Sequence, residues 1–290
     1  MILPYIVHLL ILFSIYVIFA IALDFALGYS GLLNLGHVAF FGIGAYTSAL
    51  LNSVGVPFLV AFLLGGLFAG IFSLFLVFVT KNLKGDYFAL ASLGFAFVVY
   101  SLLLNLTFLT RGPLGIAGIT RPSIFGFFLN SNYLFIIFSG VVAYGSFYFL
   151  RKLVDSRFGK ILEAMRDDEL QLKILGKNTT KLKYWALGIS AFFAGISGSL
   201  FAHYIGFIEP NNFYINELVL VLTIVIVGGI ATLRGPVLAA GLIIFISEGM
   251  RFINLPSAIV GPGRQIIYSI VLILILMFKP RGIYGRVDLQ

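Results

Sequence analysis

Three histidines (His8, His37 and His203), eleven Asp and Glu, and no cysteine are what this 290-residue chain offers for acid–base, nucleophilic or metal chemistry. Without cysteine there is no disulfide framework, no thiolate nucleophile and no zinc-thiolate site. No H-E-x-x-H pair and no G-x-x-x-x-G-K-[ST] phosphate loop occurs, which speaks against a zinc protease and against nucleotide binding of the usual kind. Gly42-Ile43-Gly44 spells part of a dinucleotide fingerprint but lacks the third glycine and a preceding strand, so it reads as helix packing. The few ionisable groups in apolar sequence have modest readings. Asp24, at the end of the first apolar run, reads as an interfacial carboxylate. His37, in Leu35-Gly36-His37, reads as a neutral ring bonded to unwound backbone. Glu248 and Arg251 read as an i,i+3 structural pair.

Charge is instead concentrated in one place. Between Arg151 and Lys183 lie nine basic and five acidic residues, 14 of the 30 charges of the chain. Within that stretch Gly159 to Leu175 reads as one or two short helices: Ile161, Met165, Leu172 and Leu175 fall along one stripe, Glu169 and Lys173 form an i,i+4 pair, and Gly176 suits a C-cap. The mixed signs argue against a lipid-binding helix, where Lys and Arg would dominate the polar face. A docking surface for a soluble partner fits better.

The elements that must carry this loop are membrane spans. The chain is 60% hydrophobic and only 10% charged, with a mean hydropathy of +1.08, far from the composition of a soluble domain. A bilayer crossing needs about 20 apolar residues. Runs at 4–23, 36–53, 57–80, 87–109, 131–150, 184–205, 217–232, 236–250 and 265–278 satisfy this, so the expected fold is an all-α polytopic membrane protein of about nine transmembrane helices (8–10), with Gly-rich broken or re-entrant segments. Residues 1–290 form one transmembrane domain with the loop at 151–183 outside the membrane. Because Lys and Arg favour the cytoplasmic side, that loop, Lys81/Lys84 and the tail Lys279-Pro280-Arg281 are expected inside and the N-terminus outside. The segment 24–36 decides this: an extra or re-entrant span there would flip the N-terminus. Gly188, Ala191, Gly195, Gly198 and Ala202 place small side chains along one face of a helix, as Gly66 and Gly70 do on another, and both read as packing surfaces.

Gly28-Tyr29-Ser30-Gly31 with Asn34-Leu35-Gly36-His37-Val38-Ala39-Phe40-Phe41-Gly42-Ile43-Gly44-Ala45-Tyr46, then Asp86-Tyr87-Phe88-Ala89 and Leu109-Thr110-Arg111-Gly112-Pro113-Leu114-Gly115-Ile116, resemble in order and spacing the membrane permease subunits of branched-chain amino acid ABC importers, the LivM-like family. Ser156-Arg157-Phe158-Gly159, Ala164-Met165-Arg166-Asp167-Asp168-Glu169, Gly228-Gly229, Gly235-Pro236-Val237 and Pro280-Arg281-Gly282 extend the resemblance over most of the chain. Phe97 and Tyr100 depart from it, standing where relatives often carry a Glu and an Arg, as does Gln171-Leu172 in place of a small-residue pair.

The resemblance implies a permease that imports leucine, isoleucine or valine by alternating access. It implies ATP and Mg bound by partners and no cofactor in this chain. Expected partners are two cytoplasmic ATP-binding subunits, a second permease subunit (the family favours a paralogue), an extracytoplasmic substrate-binding protein and the lipid bilayer of the cell membrane, with no nucleic acid. Glu163, Ala164, Arg166, Asp167, Asp168, Glu169 and Gly176 would belong to a coupling helix on the ATPase. Irregular, Gly-rich backbone at 28–46 and 228–236 would line the pathway, with Asn34, Gly36, His37, Gly42, Gly44, Gly228 and Gly229 as its candidate residues. Related permeases that carry urea, short amides or other amino acids are the alternative; a membrane enzyme or a passive channel fits less well, because catalytic groups do not cluster and a channel would not require the coupling run.

Overall fold

A computed structural model describes residues 2–83, 85–124, 127–128, 131–249, 257–279 and 281–285. The architecture is predominantly helical, as expected. Helices α1 (Ile2–Asp24), α2 (His37–Ser53), α3 (Phe58–Thr80), α4 (Gly85–Asn105), α5 (Thr107–Thr110) and α6 (Asn132–Val154) precede the charged loop. The loop itself forms α7 (Arg157–Asp167) and α8 (Glu169–Ile174). Then follow α9 (Thr179–Ile205), α10 (Ile215–Gly228), α11 (Arg234–Gly249) and α12 (Ser257–Phe278). Among the described residues, six helices are long and apolar enough to cross a membrane, at Leu3–Tyr29, Phe58–Thr80, Gly85–Asn105, Asn132–Val154, Thr179–Ile205 and Pro210–Gly228. The 17-residue α2 and the shorter apolar stretches of α11 and α12 accompany them. Two short antiparallel pairs, Ile116–Ala117 with Phe207–Ile208 and Ser123–Ile124 with Phe127–Phe128, are small β additions to the expected all-α fold.

The two most enclosed spans organise the rest. Helix α1 is apolar on every side and its Ile11, Ile15, Ile18, Phe19 and Ile21 are fully buried, as suits a helix surrounded by others. It packs against α6, α9, α10 and α11. Helix α9 packs mainly against α2 and α3, and its small-residue face does what its spacing predicts. A side chain on Gly44 would run into the backbone of Gly195, one on Gly195 would lie 2.6 Å from Ala69 Cβ, and one on Gly66 2.9 Å from Ile196. Where lipid supplies no hydrophobic contrast, such close backbone approach is what holds helices together.

The segment 24–36 forms no extra or re-entrant span: it extends α1 and then supplies the first half of a return limb that α2 completes. Helix α1 continues through a π-helical turn, Phe25–Tyr29, before Gly31 (φ 69°) turns the chain back. The return passes through irregular backbone, and His37 Nε2 then meets Phe19 O at 3.1 Å. Phe19 lies ten residues before Tyr29, about 15 Å along a helix, so α2 starts at mid-depth. It finishes beside the beginning of α1: His203 bonds Ser48 on α2 at 2.9 Å, and the adjacent Tyr204 bonds His8 on α1.

Other boundaries shift for local reasons. The span expected at 87–109 ends at Asn105, and a separate turn follows before Arg111 adopts the left-handed region (φ 60°). The span expected from 184 begins at Thr179, because Asn178 caps it by accepting from Lys181 N at 3.0 Å. The Glu248–Arg251 pair and the positions of Lys84 and Pro280 lie outside the described residues.

Candidate functional site

The charged loop is a built element with few free ends. Ser156 caps α7 by accepting from Phe158 N at 3.2 Å, and Gly159 is needed because a Cβ there would strike Val154 O. Asp168, in extended conformation (φ −153°), breaks the helix and caps α8, accepting from Leu170 N at 2.8 Å and Gln171 N at 3.0 Å. Gly176 (φ 77°) ends it in the left-handed conformation, as expected. The stripe holds across the break but not past the end of α8. Leu162, Met165 and Leu172 are buried, whereas Leu175, expected on that stripe, is 75% exposed. It joins Leu170 and Ile174, also exposed, in an apolar patch on and just after α8.

Ion pairs clamp this element to α9. Glu169 receives Lys173 at 2.9 Å, the predicted i,i+4 partner, Lys183 at 3.0 Å and the Thr179 hydroxyl at 3.0 Å. Burial alone would raise the pKa of this carboxyl, but hydrogen bonds from Lys173, Lys183 and Thr179 outweigh it and hold the pKa down to about 2. Arg166 reaches the other way: Nη1 donates to Gly28 O at 2.7 Å, and Nη2 and Nε hold Asp167 Oδ1 at 2.8 and 2.9 Å. Of the remaining coupling candidates, Ala164 is exposed and Glu163 half-buried.

At the other candidate site, Asn34 and His37 are fully buried where the return limb meets the start of α2. Asn34 Oδ1 accepts from Gly36 N at 3.0 Å, while Asn34 Nδ2, His37 Nδ1 and Tyr46 OH are buried without a hydrogen-bond partner among the described residues. The His37 ring stacks on Phe19 at 4.9 Å, so its bond goes to a regular helix and not to unwound backbone. Gly36 presses on α4, where a Cβ would lie 2.6 Å from Ser92 O, and Ser92 Oγ accepts from Leu35 N at 3.0 Å. Gly42 lies against Phe213, and Gly44 against Gly195. Gly228 meets Gly235 and Pro236, and Gly229 (φ 99°) meets the turn at 281–285, where Ile283 N and Tyr284 N donate to Val227 O at 2.9 Å and Gly228 O at 3.0 Å. Phe97 and Tyr100, the departures on α4, pack on Tyr214 at 5.9 and 4.5 Å.

One residue joins these regions in a way the sequence does not announce. Asp24 is fully buried, not interfacial. Its Oδ1 accepts from Ala231 N at 2.8 Å, and its Oδ2 from Leu233 N at 2.9 Å and Thr232 N at 3.3 Å. Ala231 (φ 63°) and Leu233 (φ 49°) hold the left-handed region without being glycine, a strain of about 1–3 kcal/mol each that the carboxylate stabilises. The available signal is a lone acid next to one Gly-rich break in a chain with a second such break. Glu217, likewise missed, accepts from Tyr16 OH at 2.9 Å and ties α10 to α1. Among the described residues no group of three or more His, Asp or Glu is placed to hold a metal ion.

A bundle of apolar helices, broken between α1 and α2 and between α10 and α11 and carrying a charged loop clamped by ion pairs, has the architecture of a polytopic membrane protein. The chain belongs to the branched-chain amino acid transport system permease component family, whose model matches residues 5–278. It is 36% identical over 293 aligned positions to the high-affinity branched-chain amino acid transport system permease protein LivM of Salmonella typhimurium, covering 93% of this chain and 67% of that protein. The Escherichia coli K12 LivM is 35% identical with the same coverage. The permease protein LivH of E. coli K12 is 27% identical over 135 positions, covering 47% of this chain and 42% of LivH. No solved structure matches the chain.

Proposed function

We propose that this chain is the LivM-type permease subunit of an ATP-driven importer for leucine, isoleucine and valine, paired with a LivH-like paralogue and served by an extracytoplasmic binding protein. Two cytoplasmic ATP-binding subunits carry ATP and Mg, and no nucleotide binds here. The single observation that carries the ATPase attachment is the α7–α8 element. An apolar patch of Leu170, Ile174 and Leu175 stands exposed on a charged loop whose own fold is already satisfied, and such a patch suits a protein partner. Asp168 and Glu169 stabilise the loop internally and Arg166 turns inward to Gly28 O, so Glu163, Ala164, Asp167 and the exposed leucines and isoleucine make the partner contacts. Gly176 sets the exit.

The loop, the end of α1 at Gly28 and the tail turn at 281–285 lie at one end of the bundle, linked through Arg166, Asp24 and Gly229. That common end supports a cytoplasmic loop and C-terminus under the positive-inside rule. In the membrane, the return limb with Asn34, Gly36 and His37 borders the pathway: buried polar atoms without partners among the described residues, such as Asn34 Nδ2 and His37 Nδ1, are costly and suit a route that hydrates or receives a polar substrate in another state. Gly42, Gly44, Gly228 and Gly229 hold the backbone close around it.

Reconstituted with its partners in proteoliposomes, the complex takes up radiolabelled leucine only with ATP and the binding protein present. Uptake undiminished without nucleotide would mean a passive channel. Uptake of urea or acetamide in place of leucine would select the related importers.

A further inference from the structure

The loop meets the first span at a backbone carbonyl, and that carbonyl sits between two other features. Arg166 Nη1 donates to Gly28 O at 2.7 Å. The arginine stem passes over Gly31, where a Cβ would lie 2.9 Å from Arg166 Cγ. One turn back along α1, on the face of Gly28, the Asp24 carboxylate holds three successive N–H groups of the α10–α11 break. Gly28 is pressed onto the same break: a Cβ there would lie 2.7 Å from Ala231 Cα and 2.7 Å from Asp24 Oδ1. Asp24 takes part in no ion pair among the described residues, so its geometry serves the break alone.

We propose that Arg166, Gly28 and Asp24 form a strut that carries displacement of the α7–α8 element into the α10–α11 break, and that Arg166 and Asp24 are positioning residues for transport with no part in holding the ATPase. The proposal rests on α7–α8 being the ATPase attachment. Its physical basis is stiffness. The strut is made of short hydrogen bonds and backbone-to-backbone contact, with no flexible side chain between Gly28 and Ala231, and the break it reaches is held in a conformation that non-glycine residues rarely adopt. A pull on Gly28 therefore moves Asp24 and the three N–H groups together, and both irregular segments of the membrane region respond to one input.

The test uses the complete reconstituted complex with Arg166→Gln, Arg166→Lys, Asp24→Asn and the Arg166→Gln/Asp24→Asn double variant. Three quantities are read: copurified ATP-binding subunits, ATP hydrolysis, and leucine taken up per ATP hydrolysed. The expected result is unchanged copurification, hydrolysis within about twofold, and uptake per ATP reduced about tenfold in Arg166→Gln and Asp24→Asn. Arg166→Lys recovers most of the loss, since an ammonium still donates to the Gly28 carbonyl. The double variant is no worse than either single one, because both cut the same link. Uptake per ATP that stays at the unmodified value, or uptake and hydrolysis falling in proportion to assembled complex, overturns the strut. Losses that multiply in the double variant do so as well. If Asp24→Asn does not assemble, Arg166→Gln and its lysine rescue decide between these outcomes. Failure of the attachment reading shows separately, as copurification that survives Leu170→Asp/Ile174→Asp.

Discussion

Glycines in this bundle divide into those that permit contact and those that do not, and their substitutions should divide likewise. Gly44→Ala and Gly198→Ala place a methyl group into the backbone of Gly195 and Phe41, and each should destabilise the subunit by about 1–3 kcal/mol. Gly94→Ala and Gly140→Ala meet nothing within 4 Å and should leave stability unchanged or slightly raised. Thermal unfolding of the detergent-solubilised chain checks both. Glu169 predicts a pH dependence. Its folded-state pKa is depressed to about 2, so its stabilisation of the loop is fully present above the ordinary carboxylate value of about 4.3 and is lost as pH falls from there toward 2. Protection factors for amide exchange in residues 169–183, each taken against the intrinsic rate at the same pH, should hold down to about pH 5 and fall below it, and Glu169→Gln should lower them at neutral pH.

At the scale of elements, the sequence makes some parts legible and hides others. The spans of α3, α6 and α9 follow directly from apolar length, and the packing face of α9 from the spacing of Gly188, Ala191, Gly195, Gly198 and Ala202. Both are local properties of one helix. The partners of Asp24 are not legible, because Ala231, Thr232 and Leu233 lie over two hundred residues away in sequence and no periodicity connects them. The exposure of Leu175 is hidden for a different reason. Leu172, beyond the break at Asp168, stays on the stripe, but α8 ends at Ile174, so a helical count carried on to Leu175 misassigns it. The segment proposed for coupling is legible through its resemblance to the family, yet the exposed Leu170 and Ile174 need the burial pattern. The clamp also makes a prediction: Lys183→Met, which removes one of the two ammonium partners of Glu169, should make the loop at 157–178 cleave several-fold faster in limited proteolysis while the membrane core resists.

For the whole molecule, the absence of native cysteine makes sidedness directly measurable. In intact cells a cysteine at Asn212 should react with a membrane-impermeant maleimide, and one at Lys177 should react only after the membrane is opened. The reverse pattern would invert the bundle. Both ends of α1 contribute to the same picture, with His8 beside Tyr204 at one end and Gly28 beneath Arg166 at the other. Sidedness and attachment together amount to one claim, that the loop between α6 and α9 is where the ATP-binding subunits grip. Placing a single cysteine at Ile174, labelling it with a photoactivatable maleimide and irradiating membranes that contain the assembled importer tests this most directly. A covalent adduct with an ATP-binding subunit should form, and should be absent when the label sits at Tyr133. An adduct confined to the Tyr133 label, or ATP-binding subunits recovered in full with no adduct from Ile174, would contradict the claim.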